Sequence, residues 1–369
     1  MKYYFVAGEA SGDLQASYLI KELAIADNNA DFRCFGGDLM QEQGATVVKH
    51  YKELAFMGVE AVIKNIRTIF KNISFCKDDI KQYNPDVLIL VDYPGFNMKI
   101  AKWAKTNNIK VYYYISPKIW AWNQKRGFKI KNIIDKMFVI LPFEKDFYKK
   151  FNYTVDFVGH PLLDSIADRP QISFETFCST HQLNNKPIIA LLPGSRKQEI
   201  SSTLSLMLTV VHKFPDYQFI IAGAPAQNLS FYKQFINRNI TLIENKTYDL
   251  LQHSTAALVV SGTATLETAL FKVPQVVCYK TGWLFYNLAK LVIKVKYISL
   301  VNLIMDKEIV KELIQNKLST TNLVNELTKI ISIEPRKKML KDYETLNQKL
   351  GGIGASKRAA TLIFGYLKP

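Results

Sequence analysis

Short apolar runs alternate along this chain with longer stretches in which apolar positions recur every three or four residues. Such runs between amphipathic helices are typical of parallel strands buried on both faces, so the pattern predicts an α/β protein. In the first half it predicts strands at 3–7, 32–35, 86–91, 110–115, 136–140 and 155–158, and helices at 12–26, 59–74, 96–106 and 142–150. In the second half it predicts strands at 188–192, 217–222, 240–243, 256–260 and 275–279, and helices near 198–213, 228–237, 247–252 and 263–271.

One local design occurs twice: an apolar strand, a turn of small residues and then a helix. Tyr3–Ala7 runs into G-E-A-S-G-D, and Ile188–Leu192 runs into P-G-S-R. A helix N-terminus behind a tight turn offers free N–H groups and a positive dipole end, which suits phosphate. The repeat predicts two Rossmann-like domains that face each other across a cleft and bind one substrate each.

The length of 369 residues also favours two domains. The segment 165–187 is polar and contains two prolines, so we place the boundary there. The expected domains are 1–168 and 169–345. A final helical segment, 346–369, is broken at Gly351-Gly352, and packing back onto the first domain is one option for it.

The amino-acid composition limits which binding partners and which kinds of site are expected. The net charge of +16, from 48 Lys+Arg against 32 Asp+Glu, would attract nucleic acid, anionic lipid or phosphorylated substrates, although solubility alone explains it equally well. No nucleic-acid motif accompanies the charge, so no nucleic acid is expected. The four scattered cysteines have neither disulfide nor metal-ligand spacing, and they fit a reducing cytosol. We expect no metal, no cofactor, no signal peptide and no transmembrane helix.

Asp92 is the strongest catalytic candidate. It follows the apolar run 86–91 and opens D-Y-P-G-F-N, at the carboxyl end of a predicted parallel strand, where α/β sheets bind ligands. A carboxylate there can act as a general base. The alternative is an N-cap for the next helix, but Asp92 lies slightly early for that role, and Asn97 or Gly95 could fill it.

Three polar residues lie in the first turn. Glu9 could accept a hydrogen bond from a substrate hydroxyl, whereas Asp13 is better explained as a structural acid in the first turn of its helix. Ser11 could bind phosphate or cap the helix, with equal support for either role.

Two further motifs of the first half carry candidates. Trp120 and Trp122, in S-P-K-I-W-A-W, could stack on a sugar, sit at a membrane interface or pack in the core. His160, in F-V-G-H-P-L, lies where the chain should cross the cleft, and a structural role is slightly better supported than a functional one.

The second half offers groups for a nucleotide. Arg196 beside a helix N-terminus suits a diphosphate, and the alternative is an ion pair with Glu199. The predicted strand 256–260 ends in S-G-T-A-T-L-E, where small residues allow close approach of a ligand. We expect Glu267 in the first turn of that helix, where it could bind a ribose diol.

Taken together, the motifs resemble those of the lipid-A-disaccharide synthases, inverting glycosyltransferases of the GT-B fold. The matches keep their order over nearly the whole chain: G-E-A-S-G-D at 8–13, F-G-G-D-L-M at 35–40, M-G-V-E at 57–60, D-Y-P-G-F-N at 92–97, S-P-K-I-W-A-W at 116–122, F-V-G-H-P-L at 157–162, L-P-G-S-R at 192–196, S-G-T-A-T-L-E at 261–267, S-L-V-N-L at 299–303 and E-L-I-Q at 312–315.

The resemblance implies transfer from UDP-2,3-diacylglucosamine to 2,3-diacylglucosamine 1-phosphate (lipid X), which releases UDP and forms a β-1,6 disaccharide, with Asp92 as the base. The acceptor side and N-terminal loop would comprise Gly8, Glu9, Ser11, Asn97, Trp120, Trp122 and His160. The UDP-sugar site would comprise Gly194, Ser195, Arg196, Gly262, Thr263, Ala264, Thr265, Glu267, Asn302 and Gln315. Asn123, where the family has arginine, and Val301, where it has proline, depart from the pattern.

Lipid substrates without a spanning helix imply a cytoplasmic enzyme that is peripheral on the inner-membrane surface. Residues 59–73 give an apolar stripe opposite basic residues, and 283–304 is a second candidate, for which core packing is equally well supported. Two other functions stay open: a UDP-N-acetylglucosamine 2-epimerase-like enzyme, and a non-enzymatic binder of anionic lipid or RNA. A homo-oligomer also stays open.

Overall fold

The protein contains two parallel β-sheets with connecting helices. The computed structural model describes residues 1–54, 65–224, 227–236, 240–283, 286–287 and 295–368. The chain divides into two units. Unit 1 comprises Met1–Ala167 with Leu350–Pro369, and unit 2 comprises Asp168–Lys349. The predicted pair of Rossmann-like α/β domains is therefore confirmed.

The sheet of unit 1 has seven strands in the order β3-β2-β1-β4-β5-β6-β7. These are β1 (Lys2–Ala7), β2 (Asp31–Gly36), β3 (Thr46–His50), β4 (Val87–Val91), β5 (Val111–Tyr114), β6 (Lys136–Val139) and β7 (Asp156–Phe157). Every residue of β4 is buried, which explains its uninterrupted Val-Leu-Ile-Leu-Val sequence. In the register of β1 with β4, Ala7 lies opposite Val91, so both strands end at the same level.

The helices of unit 1 are α1 (Ala10–Ala26), α2 (Asp38–Glu42), α3 (Ile66–Tyr83), α4 (Pro94–Thr106), α5 (Arg126–Ile133), α6 (Glu144–Lys149), α7 (Leu162–Ala167) and, at the end of the chain, α16 (Ala355–Leu367). The last helix packs on α1, and its apolar residues join the core around β1. Asp164 accepts hydrogen bonds from the backbone N–H groups of Gly354, Ala355 and Ser356 and so caps that helix.

The sheet of unit 2 has six strands in the order β10-β9-β8-β11-β12-β13. These are β8 (Ile188–Leu192), β9 (Gln218–Gly223), β10 (Ile240–Glu244), β11 (Ser254–Val260), β12 (Gln275–Tyr279) and β13 (Lys311–Ile314). The helices are α8 (Phe174–Thr180), α9 (Lys197–Leu208), α10 (Leu229–Tyr232), α11 (Thr247–Gln252), α12 (Thr263–Leu270), α13 (Leu300–Met305), α14 (Thr320–Ile331) and α15 (Ile333–Lys349).

Both predicted amphipathic segments need correction. The first helix begins at Ile66 and continues to Tyr83, and residues 55–64 lie outside the described part. Its apolar stripe is divided, because Ile66 and Phe70 are exposed whereas Ile73 is buried. In the second segment Trp283 is exposed, residues 295–299 are not helical, and 284–285 and 288–294 lie outside the described part. No described helix is both long and apolar enough to cross a membrane.

Candidate active site

Each sheet reverses its strand order once, and the candidate residues gather at those reversals. In unit 1 the sheet runs from β1 outward in one direction and from β4 in the other, and in unit 2 the corresponding strands are β8 and β11. Open α/β sheets bind ligands beyond the carboxyl ends of the strands at this switch point. Gly8 and Asp92 directly follow β1 and β4, and Pro193 and Ser261 directly follow β8 and β11.

The backbone of Asp92 is held on both sides. Its N–H donates to the carbonyl of Tyr114 at 3.1 Å. Its carbonyl accepts hydrogen bonds from the Tyr113 hydroxyl and from Asn97 Nδ2. Asp92 is half-buried at the end of a fully buried strand, so its backbone occupies a fixed place at the edge of the sheet.

The electrostatic surroundings make Asp92 a stronger base than an exposed carboxylate. Burial raises the pKa of Asp92, and the positive charge of Lys118 opposes this rise. A raised pKa increases proton affinity, while the nearby cation keeps the ionised form accessible. This combination suits a group that must accept a proton from a hydroxyl.

The loop after β1 packs directly against the loop after β4. A side chain at Gly8 would place its Cβ 2.2 Å from the ring of Tyr93, so this close approach requires glycine. Glu9 precedes α1 as its N-cap residue and influences the pKa of Tyr93. Ser11 is exposed in the first turn of α1. The structure thus brings Gly8, Glu9 and Asp92 to one edge, as ligand binding there would require.

In these loops one predicted role is confirmed and another is wrong. Asp13 is a structural acid in the first turn of its own helix, as predicted, and its buried carboxylate also accepts hydrogen bonds from Leu39 and Met40 N–H and so caps α2. Helix α4 begins at Pro94, so neither Asn97 nor Gly95 is its N-cap. Asn97 is fully buried and donates to the carbonyls of Val6, Val91 and Asp92. It therefore ties β1 to β4 behind the site.

The loop that carries Lys118 is held by a buried carboxylate. Glu144 accepts hydrogen bonds from Ser116 Oγ, from Trp120 Nε1 at 3.2 Å and from the backbone N–H groups of Ile140 and Leu141. Burial raises the pKa of Glu144 to about 7, although these donors favour the ionised form. Trp120 is buried edge-on against Phe143, so its indole stabilises the loop.

Trp122 differs from Trp120 because it is 45% exposed. The guanidinium of Arg126 lies 4.7 Å from the centre of its ring, a cation–π contact that leaves the donors of Arg126 available. Asn123, where the family pattern has arginine, lies in the turn just before α5. Arg126 thus provides a cation three residues further along the chain.

His160 is buried and neutral. Burial, helped by the charge of Lys118, lowers the pKa of His160 to about 3. Its Nδ1 accepts a hydrogen bond from the N–H of Leu162, which assigns the remaining ring proton to Nε2. Its backbone N–H donates to the carbonyl of Leu350, where the chain re-enters unit 1.

In unit 2, the turn after β8 presents a cation at a helix N-terminus. Gly194 has φ +98°, and a Cβ there would lie 2.8 Å from the Glu199 carboxylate. Ser195 and Arg196 are exposed directly before α9. The guanidinium of Arg196 lies 3.8 Å from Glu199, so the ion pair and an exposed guanidinium coexist. The N–H of Arg196 donates to the Glu199 carboxylate at 3.4 Å. The exposed guanidinium and the positive dipole end of α9 together suit an anionic group.

The turn after β11 is open. Gly262 is exposed, with nothing within 4 Å of a Cβ built on it, and Thr263 is exposed beside it. Ala264 is half-buried, and Thr265 is buried with its hydroxyl donating to the carbonyl of Gly262. Thr265 therefore shapes the turn, while Gly262 and Thr263 leave room for a ligand.

Glu267 lies in the second turn of α12, one turn later than predicted. Its Oε1 accepts a hydrogen bond from the Tyr248 hydroxyl at 3.1 Å, and burial raises the pKa of its carboxyl group. The guanidinium of Arg169 lies 4.9 Å from the centre of the Tyr248 ring.

Asn302 and Gln315 hold the backbone. Asn302 is fully buried, donates to the carbonyl of Val310 and to Glu312, and accepts from the N–H groups of Ile309 and Val310. Gln315 exchanges two hydrogen bonds with the backbone of Thr281. Both side chains stabilise loops in this structure, and direct contact with a ligand stays a prediction.

Two residues of this site, Lys118 and Glu144, were not predicted from the sequence. Lys118 was one of several lysines in a basic stretch, and nothing in the sequence shows which of them acts on Asp92. Within the described ranges, no group of three or more His, Cys, Asp or Glu side chains is placed to hold a metal ion.

Comparisons with known proteins identify the family of this chain. The family model for lipid-A-disaccharide synthetase matches residues 3–363. The chain is 36% identical to the lipid-A-disaccharide synthase of Syntrophus aciditrophicus, over 98% of this chain and 97% of that protein. It is 37% identical to the lipid-A-disaccharide synthase of Coxiella burnetii, over 89% and 88% of the two chains.

Solved structures show the same fold at low identity. The UDP-GlcNAc 2-epimerase from Neisseria meningitidis bound to UDP-GlcNAc superposes with a TM-score of 0.67 at 15% identity, covering 100% of this chain and 99% of that one. CalG4, the calicheamicin glycosyltransferase, gives 0.60 at 14% identity, with coverage of 100% and 99%. The fold is GT-B, and the chain belongs to the lipid-A-disaccharide synthase family of glycosyltransferases.

Proposed function

We propose that this protein transfers a diacylglucosamine residue from UDP-2,3-diacylglucosamine to 2,3-diacylglucosamine 1-phosphate with inversion, forming the β-1,6 disaccharide 1-phosphate and UDP. The observation that carries the proposal is the position of Asp92 at the switch point of unit 1, with its backbone held by Tyr113 and Tyr114 and its pKa raised by burial. The family membership supplies the substrates.

The proposed chemistry is a single displacement. Asp92 accepts the proton of the acceptor hydroxyl, whose oxygen forms a bond to the anomeric carbon as the bond from that carbon to the diphosphate breaks. UDP leaves with the additional negative charge. Arg196 and the N-terminus of α9 would stabilise that charge, and Glu267 would accept hydrogen bonds from the ribose.

The same proposal places the enzyme at a membrane surface, on the cytoplasmic face of the inner membrane. Helix α3 presents three large apolar side chains to solvent: Ile66, Phe70 and Phe75 are 50%, 56% and 44% exposed. Exposed Arg67 and Lys71 lie on the same helix. Apolar side chains with neighbouring cations suit the interface of an anionic bilayer.

A direct assay tests the proposal. The protein is incubated with UDP-2,3-diacylglucosamine and lipid X in detergent micelles, and products are identified by mass spectrometry. We expect a disaccharide 1-phosphate and one UDP per disaccharide, with neither formed when lipid X is omitted. Conversion of UDP-N-acetylglucosamine alone, without a disaccharide product, would instead identify an epimerase. Absence of UDP binding would favour a non-enzymatic role.

A further inference from the structure

A cavity opens between α4 and α5 in unit 1, and its lining includes Arg126 but not Asp92. Its volume is about 510 Å³, within the range of about 300–1,000 Å³ that is common for small-molecule sites. One wall is formed by Pro94 and Gly95, the first two residues of α4 and only two positions beyond Asp92. Helix α5 forms the facing wall.

The lining of this cavity combines apolar walls with three cations. Met98, Pro117, Ile119, Ile130 and Ile133 contribute apolar surface. Lys102, Arg126 and Lys129 contribute exposed positive charge, and no carboxylate is among the lining residues. Nearby Lys105, by contrast, is neutralised by an ion pair with Asp135. A cavity of this kind favours a ligand that carries both negative charge and hydrocarbon.

We propose that this cavity is the binding site for the phosphate and an acyl chain of the acceptor, with the phosphate on Lys102, Arg126 and Lys129. This inference rests on the proposed function, in which the acceptor is a diacylated sugar 1-phosphate. The acceptor must present its hydroxyl to Asp92, and Pro94, which lines the cavity, follows Asp92 by only two positions in the chain. The donor carries its phosphates in UDP, for which unit 2 provides a separate cation and helix N-terminus.

The charge-neutralising double variant Lys102→Gln/Lys129→Gln tests whether these cations bind the acceptor phosphate. Both side chains are exposed, so the fold should persist. Loss of two charge-assisted contacts should raise the KM for the acceptor at least about tenfold. The kcat at saturating acceptor and the dissociation constant for UDP should stay near the wild-type values. The matched control is Lys110→Gln/Lys131→Gln, which removes two exposed lysines of the same unit that do not line the cavity.

A second measurement determines how much the 1-phosphate contributes to acceptor binding. For the wild-type protein, 2,3-diacylglucosamine without the 1-phosphate should show a KM raised at least as much as the double variant raises it for lipid X, because the contact with Arg126 is lost as well. With that phosphate-free acceptor, the double variant should match the wild type, because the interaction it removes is already absent. If the double variant also loses UDP binding, the test relies on the acceptor KM of the two single variants and on the comparison of the two acceptors with the wild type.

Three results would overturn the inference while leaving the proposed function standing. The double variant could match its control in acceptor KM while disaccharide is still formed. The wild type could use both acceptors with the same KM. The variant could lose only sedimentation with phosphatidylglycerol vesicles, which would assign the cations to lipid headgroups of the membrane. Failure of the wild type to form any disaccharide would instead contradict the proposed function itself.

Discussion

At the scale of single residues, the backbone at Asp92 is unusual. Asp92 and Tyr93 have φ of 43° and 46°, a left-handed conformation that costs energy for residues other than glycine. Such conformations persist where surrounding contacts enforce them, and they concentrate at functional sites. Here Tyr113, Tyr114 and Asn97 hold Asp92, while the Tyr93 hydroxyl donates to the carbonyl of Leu54.

Replacing Asp92 with asparagine should remove the base while keeping the shape. We expect turnover to fall by about 10²–10⁴, the usual contribution of a positioned acid–base group, with the UDP dissociation constant unchanged. Steady-state kinetics and calorimetry measure the two quantities. Asp86→Asn is the matched control, because that carboxylate lies at the opposite end of the same strand and bonds the N–H of Lys2. Turnover near the wild-type rate for Asp92→Asn would contradict the assignment.

Lys118 should tune the base through its charge. Lys118 lowers the pKa of Asp92, so Lys118→Met should raise that pKa further. Because the base works when ionised, activity is lost as the pH falls through this pKa, and the acidic limb of kcat/KM should move to higher pH. The shift should shrink in high salt, since Lys118 is exposed. Lys125→Met is the control, and an unmoved limb in Lys118→Met would refute the coupling.

Arg196 and Glu267 should both contribute to UDP binding. Arg196→Ala should weaken binding by about 1.5–3 kcal/mol, the scale of a charged hydrogen bond. Glu267→Gln should weaken binding of UDP more than binding of its 2′-deoxy analogue if the carboxylate holds the ribose diol. Calorimetry on the wild type and the two variants measures these affinities. If both variants bind UDP as the wild type does, the nucleotide lies elsewhere.

At the scale of elements, the central strands were predictable because burial on both faces leaves an uninterrupted apolar run, as in β4 and β8. The edge strands β3 and β13 were missed. Their residues are mostly half-buried and include Lys49 and Glu312, so the apolar run that marks an inner strand is absent. Strand order was not readable from the sequence either, and only that order puts Gly8 beside Asp92.

The polar site candidates show a second limit to prediction from the sequence. The family resemblance assigned Asn97 to the acceptor side and Asn302 to the UDP-sugar site. In the structure both side chains are fully buried, and their amides bond backbone groups of neighbouring segments. A buried amide that satisfies backbone groups and one that faces a substrate have the same sequence signature. Only coordinates separate the two roles.

We expect helix α3 to contribute part of the binding to the membrane surface. Ile66→Ser/Phe70→Ser removes two exposed apolar side chains, and Lys99 Nζ lies 4.8 Å from the centre of the Phe70 ring. Sedimentation with anionic vesicles should fall, while the unfolding midpoint should change little because neither side chain is buried. Ile333→Ser, which removes an even more exposed apolar side chain of unit 2, is the control. Unchanged sedimentation, or an unfolded variant, would show that docking occurs elsewhere.

At the scale of the whole molecule, unit 1 is built from two separate parts of the chain. Arg358 fastens the second part, because its guanidinium donates to the carbonyls of Val158, Ile353 and Gly352. Arg358→Met should lower the free energy of unfolding by about 2–3 kcal/mol, since three carbonyls lose a charged donor. Urea denaturation measures the change. The adjacent exposed Lys357→Met should have almost no effect, and equal losses in the two variants would exclude a specific clamp.

The return of the chain to unit 1 has a consequence for how the protein is made. The core around β1 includes Ala359, Ala360, Ile363 and Leu367, which follow unit 2 in the chain. All of unit 2 is therefore synthesised before unit 1 can complete its core. Until these residues emerge from the ribosome, the nascent first part of unit 1 exposes an apolar surface on α1, where α16 will pack. A stop codon before residue 355 would leave that surface permanently uncovered and open to chaperones and proteases.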